Sequence, residues 1–250
     1  DRIRGDSSWD YFLAEDSRIA YIRITLFGER TVEEFQTALD KVKGKADAIV
    51  LDLRYNPGGL LPAAVAMCDM LVDRGVIVST KGRRDMFGIE LKATRKVELD
   101  PDIPLVVLVN DQSASASEIM AGCLQDLDRA EIVGERSYGK GTVQQIFELE
   151  NDSTALKFTT AHFYRPSGKN IHRREDAREE DDWGVSPSAA LSLPLSDLQE
   201  LNLNRRWQRR GDPRITASEE PAPMPAFAGD PQLRLAVDYL QAVLEEGSGR

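Results

Sequence analysis

Two short runs constrain this chain more than any other feature. Asp47–Leu53 (DAIVLDL) and Leu105–Asn110 (LVVLVN) are apolar at nearly every interior position and rich in β-branched residues. A strand with one wet face alternates apolar and polar residues, whereas these do not. They read as strands covered on both faces, as in a parallel sheet sandwiched between helices. The segments around them support that reading. Residues 18–26 (RIAYIRITL) and Val76–Thr80 read as strands, Ile89–Val97 as a weakly alternating one, and Ala130–Gly134 as a short one. Between them lie helical patterns. One opens at Thr31, with Glu34 three residues on as a capping box and Val32, Phe35, Leu39 and Val42 as its apolar face. The others run from Leu60 to Asp73 and over residues 115–128. Strands alternating with helices predict crossover units and an α/β fold.

The pattern changes after residue 141. Thr142–Leu149 and Ala155–Tyr164 read as consecutive strands joined by a hairpin around Asn151-Asp152. Residues 173–182 (RREDAREEDD) are a charge run that reads as a solvated loop. Residues 211–229 hold four prolines and no period, which reads as a surface crossing. Asp230-Pro231 then starts a last helix, with Asp230 as its cap and Leu233, Val237, Leu240 and Val243 or Leu244 on one face.

Composition narrows function. A net charge of −10 argues against nucleic acid, whose proteins carry a basic face. No apolar run approaches the roughly 18 residues that span a bilayer. Two cysteines, Cys68 and Cys123, cannot form a disulfide framework and read as small buried hydrophobes. His162 and His172 are the only histidines, and neither lies in a metal-binding spacing, so no metal and no cofactor are expected.

Three segments carry chemistry. Asp52-Leu53-Arg54-Tyr55-Asn56-Pro57-Gly58-Gly59 ends a buried strand in a glycine turn, at the end of a parallel strand where ligands bind. Asn110 to Glu118 (NDQSASASE) links the other buried strand to a helix. One serine there is a helix cap; three alternating serines exceed what a cap requires. A nucleophile at that helix start gains from the helix dipole, and the next N–H faces a developing oxyanion. In Gly134–Gln144, Lys140 stands between glycines, and Lys140, Thr142 and Gln144 share one face of a strand. A lysine presented inward by glycines is costly to bury, which points to a role. The segment also approaches a phosphate-binding G-x4-G-K-[ST] loop, but Gly141 intervenes and a strand, not a helix, follows.

Together, DLRYNPGG (52–59), NDQSASASEI (110–119) and GKGTVQ (139–144) resemble the carboxyl-terminal processing, or tail-specific, serine peptidases, in order and in spacing, over most of residues 18–190. The resemblance implies a crotonase-like α/β core of parallel βαβ units with additional strands. It also implies a Ser–Lys dyad: Ser115 as nucleophile, Lys140 as base, and Gln144 orienting the lysine. The oxyanion hole falls on the backbone N–H of Ala116 with that of Gly58 or Gly59, and Gly58 is favoured. Burial among Ala114, Ala116 and the glycine loops would favour the neutral lysine, while Ser113 and Ser117 would be structural. The substrates implied are proteins with unstructured, apolar carboxyl-terminal tails, cleaved through an acyl-enzyme. The family usually carries a PDZ domain upstream, so residues 1–17 read as the remnant of an upstream region, 18–190 as the peptidase core, and 191–250 as a C-terminal extension. A periplasmic or otherwise extracytoplasmic location and an oligomer also follow from the resemblance. One departure is visible: Gly184-Val185-Ser186-Pro187 is followed by Ser188, where the family usually has aspartate.

Overall fold

The computed structural model describes residues 2–3, 9–83, 88–94, 97–149, 154–210 and 229–248. Strands β1 (Arg2–Ile3) and β2 (Trp9–Asp10) form a small antiparallel ladder at the start. The body follows from the two apolar runs. β3 (Ile19–Arg23), β4 (Ala48–Asp52), β7 (Leu105–Val109) and β8 (Glu131–Gly134) form a parallel sheet in that order. Every residue of β4 and β7 is buried.

Period-two alternation splits these strands between two cores. Ile49, Leu51, Val107, Val109 and Ile132 face a core shared with α1 (Thr31–Val42), α2 (Leu61–Asp69) and α3 (Ala116–Asp126). Ala48, Val50, Val106, Leu108 and Val133 face the other way, onto Leu233, Ala236, Val237 and Leu240 of α5 (Pro231–Ser248). The C-terminal helix thus closes the second face of the sheet. Asp230 caps it as expected, accepting a hydrogen bond from the Leu233 N–H at 3.0 Å.

A second sheet is antiparallel, in the order β6 (Ile89–Lys92), β5 (Val76–Gly82), β10 (Thr154–Tyr164), β9 (Thr142–Leu149). β5, which the alternation places among the parallel strands, belongs here, pairing antiparallel with β10 and β6. β9 and β10 pair antiparallel, and the tip at Asn151-Asp152 lies outside the described residues. So do residues 211–228 of the proline-rich crossing.

Two local expectations change. Thr31 is the first helical residue and makes no capping box: its hydroxyl accepts from the Gly28 N–H at 2.9 Å and donates to the Leu26 carbonyl at 3.0 Å, fixing the preceding turn instead. An additional helix, α4 (Asp197–Arg210), follows a short 3-10 turn at Ala189–Leu191. The charged stretch 173–182 is a largely exposed loop, as its composition predicts, and Arg136 Nη1 donates to its Glu179 carbonyl at 2.9 Å. Cys68 and Cys123 are fully buried in the core with free thiols. Among the described residues, no helix is long and apolar enough to cross a membrane.

Candidate active site

The three segments converge at the carboxyl ends of β4, β7 and β8. The hydrogen bonds between them explain the three alternating serines. Ser113 Oγ donates to the Leu53 carbonyl at 2.8 Å and accepts from the Asn110 N–H at 3.0 Å. Ser117 Oγ donates to the Asn56 carbonyl at 2.9 Å. Both are buried and fasten the β7–α3 turn to the β4–α2 turn. Ser115 differs from its neighbours. It stands between β7 and α3 with φ 56° and ψ −112°, a left-handed conformation that a non-glycine residue holds only under constraint. Such strain, about 1–3 kcal/mol, gathers at functional positions.

The glycine turn closes on this serine. Gly58 has φ 100°, and a Cβ there would come within 2.6 Å of the Ala114 carbonyl oxygen, 2.8 Å of Ser115 Cβ and 2.9 Å of the Ala116 nitrogen. Only glycine permits that approach. Of the two glycine amides, Gly58 N–H donates to Asn56 Oδ1 at 2.9 Å, and Gly59 is exposed with no acceptor for its N–H among the described residues. Asn56 is itself anchored, donating through Nδ2 to the Ile24 carbonyl at 2.8 Å. Tyr55 N–H donates to Asn110 Oδ1 at 2.8 Å, and Ala114 N–H to the Asn56 carbonyl at 3.0 Å.

Glu118 joins the serine loop to the lysine loop, a role sequence reading did not assign. It is fully buried, one turn into α3. Its Oε2 accepts from the N–H groups of Ser115 and Lys140, both at 2.8 Å. Its Oε1 accepts from Ser137 Oγ and the Gly139 N–H, both at 2.6 Å. Burial is the largest influence on this carboxyl and raises its pKa, while the four donors act in the opposite direction. One carboxylate thereby fixes the separation of the Ser115 and Lys140 backbones.

The side chain of Lys140 is exposed. The glycines on either side do not draw it inward. They make room instead for Arg173, Trp183 and His172, whose atoms would lie 2.3–2.9 Å from a Cβ at Gly139 or Gly141. Among the described residues, no hydrogen bond joins Lys140 Nζ to Ser115 Oγ or to Gln144. Gln144 is exposed on β9, opposite Thr159, beside a bulge between Thr159 and Ala161. The segment 134–144 leads into a strand, so it lacks the helix that a phosphate loop requires. Among the described residues, no group of three His, Cys, Asp or Glu side chains could hold a metal.

Beneath the glycine turn lies a buried ionic cluster that sequence reading also missed. Arg54, with no exposure, donates to Asp52 and to Asp230, and Asp52 accepts from Tyr21 Oη at 2.6 Å. Trp207 of α4 lies over it, 5.2 Å from the guanidinium, and stacks closely on Arg23. The available signal was an aspartate and an arginine at the end of an otherwise apolar buried strand, since fully buried charges are rare unless paired.

A strained serine at a helix start, a glycine turn pressed against it and a lysine loop on a shared carboxylate meet in one place. The model of Peptidase family S41 matches residues 18–187 of the chain, which contain all of them. The chain belongs to this peptidase family. The carboxy-terminal-processing protease of Bartonella bacilliformis is 40% identical over 186 residues, which cover 72% of this chain and 40% of that protein. The carboxyl-terminal-processing protease of a Synechocystis species is 38% identical over 192 residues, 75% of this chain and 42% of that protein. Among solved structures, a photosystem II D1 C-terminal processing protease superposes with a TM-score of 0.60 at 36% identity, covering 70% of this chain and 42% of that one. The S41 chain thus spans about two fifths of the length of these relatives.

Glu118 gives the first test of this S41 site. Glu118→Gln retains one oxygen and turns an NH2 group toward two existing donors. Each stranded buried donor costs about 1–3 kcal/mol. Thermal melting should show a loss of about 2 kcal/mol or more, and peptidase turnover should fall by about 10²-fold, the effect of a misplacement of about 1 Å. A Gln variant with unchanged melting and turnover would show that Glu118 does not hold the loops.

Proposed function

We propose that this chain is the catalytic core of a serine endopeptidase that cleaves proteins from unstructured, apolar carboxyl-terminal tails by a Ser–Lys dyad. The observation that carries the reading is the strained Ser115 at the start of α3, with the Ala116 N–H and Gly58 against it and Lys140 tied to the same Glu118.

In this reading the neutral amine of Lys140 takes the proton of Ser115 Oγ as that oxygen attacks the peptide carbonyl. The resulting oxyanion accepts from the Ala116 N–H and from the glycine turn. Gly58 is the nearer glycine and becomes a donor when the substrate oxygen replaces Asn56 Oδ1; Gly59 N–H is already unoccupied. The ammonium of Lys140 returns the proton to the leaving amine, the acyl-enzyme remains on Ser115, and water hydrolyses it with Lys140 again as base. Gln144, which makes no bond to Lys140 in the free chain, would accept from Nζ in the substrate complex and aim it without adding charge. In this reading a substrate tail lying over Ser115 and Lys140 excludes water from both. The architecture fits a crotonase-like core, with residues 18–190 as the catalytic unit. An upstream PDZ domain, an oligomer and an extracytoplasmic location belong to the same proposal. The family match and the processing-protease names of the relatives from Synechocystis and Tetradesmus obliquus support the peptidase part of the proposal.

The tail preference has its own test. A folded test protein bearing a flexible apolar carboxyl-terminal tail should be degraded several-fold faster than the same protein with a charged tail, followed by gel densitometry. Equal rates would show that this core does not select tails.

A further inference from the structure

The buried cluster under the glycine turn reaches far along the chain. Arg54 directs Nε to both oxygens of Asp52, at 3.0 and 3.1 Å. Its Nη2 donates to Asp52 Oδ2 at 2.6 Å and to Asp230 Oδ2 at 2.9 Å. Its Nη1 donates to Asp230 Oδ1 at 2.8 Å and to Gln232 Oε1 at 3.1 Å. Asp230 therefore holds the far edge of the guanidinium in a two-point grip, the strongest geometry open to this pair. Residue 230 lies outside the matched residues 18–187.

We propose that Asp230, at the start of the C-terminal helix α5, is a positioning residue for the active site, acting through Arg54 on the glycine turn that closes on Ser115. The connection is continuous. Arg54 is followed by Tyr55, which is itself left-handed at φ 58°, and by Asn56, whose carbonyl accepts from the Ala114 N–H and Ser117 Oγ. Gly58 then stands against Ser115 and Ala116. A strained turn keeps its shape only where its surroundings over-determine it, and the fixed plane of Arg54 is one such constraint. A second contact runs to the lysine side: Gln232 Nε2 donates to Glu135 Oε1 at 3.1 Å and to the Leu193 carbonyl at 2.8 Å, and Glu135 opens the loop that carries Lys140. The first turn of α5 thus braces both loops from below, whereas Ala236, Val237 and Leu240 further along it pack on the sheet.

This inference rests on the peptidase reading for its activity arm. The test compares wild type, Asp230→Ser and Leu240→Ala, with kcat, KM, melting temperature and amide exchange measured for each. Serine keeps a helix-capping oxygen and removes both acceptors from Arg54. Leu240→Ala weakens the docking of α5 and leaves the Arg54 grip intact, since Leu240 is fully buried on the sheet. Asp230→Ser should lose about 10²-fold in kcat with KM within about threefold, as misplacement of the reacting groups does. The Gly58 and Ala114 amides should exchange at least about tenfold faster while sheet amides stay protected, a sub-global opening. Leu240→Ala should melt at lower temperature with kcat preserved. If Asp230→Ser does not fold, Asp230→Asn, which keeps the cap and one acceptor, is read by the same measurements. A folded Asp230 variant with wild-type kcat and exchange, or a Leu240→Ala protein that loses kcat as Asp230→Ser does, would overturn the proposal. Wild type without cleavage would instead refute the peptidase reading, and the exchange rates would still judge this one.

Discussion

Lys140→Arg should be inactive, with turnover lower by about 10²–10⁴-fold, the usual contribution of a general base. The substitution keeps charge and nearly keeps length, so surface contacts and folding are retained. Guanidinium does not deprotonate in a protein, so it cannot accept the Ser115 proton. Lys140→Ala should fall as far. Gln144→Ala should lose less, because both reacting groups remain. Stopped-flow or fluorogenic-peptide rates of the wild type and the three variants give the comparison. Robust turnover by Lys140→Arg would assign the proton transfer to another group.

What the sequence made legible was local. β4 and β7 declare themselves because a strand covered on both faces needs apolar residues at every position, and the structure buries each of theirs. The three loops were legible because glycines and alternating serines are costly choices that regular structure does not require. Asp230 as the cap of α5 was equally visible, as a cap acts within one turn. The missed features are created by tertiary contact. Glu118 reads as the third residue of a helix. Only the approach of Ser137, Gly139 and Lys140 turns it into the link between two loops. Arg54 and Asp230 are separated by 176 positions, and nothing in either local sequence pairs them. α4 has mostly polar residues and few apolar ones to signal a face, and Leu203 is buried there while Trp207 packs on Arg23. The burial of Lys140 was inferred from its flanking glycines. Those glycines admit Arg173, Trp183 and His172, a reason for small residues that sequence does not distinguish from drawing the lysine inward.

The nucleophile is the centre of the account, and its three serines separate by role. Ser113 and Ser117 each spend their hydroxyls on buried backbone carbonyls, so Ala at either should cost about 1 kcal/mol of stability, with measurable turnover retained. Ser115→Ala removes the hydroxyl, and with it the capping bond from the Glu118 N–H, but should still fold, since the Ser115 N–H bond to Glu118 Oε2 stays in place. On the proposed Ser–Lys mechanism turnover should fall by roughly 10³-fold or more, because the acyl-enzyme forms on Ser115. The decisive measurement is mass spectrometry of a protein with a disordered, apolar carboxyl-terminal tail after incubation with the wild-type chain or with Ser115→Ala. Tail-derived fragments with the wild type, and only intact substrate with Ser115→Ala, are the predicted result. The same fragments at comparable rates from Ser115→Ala would contradict it.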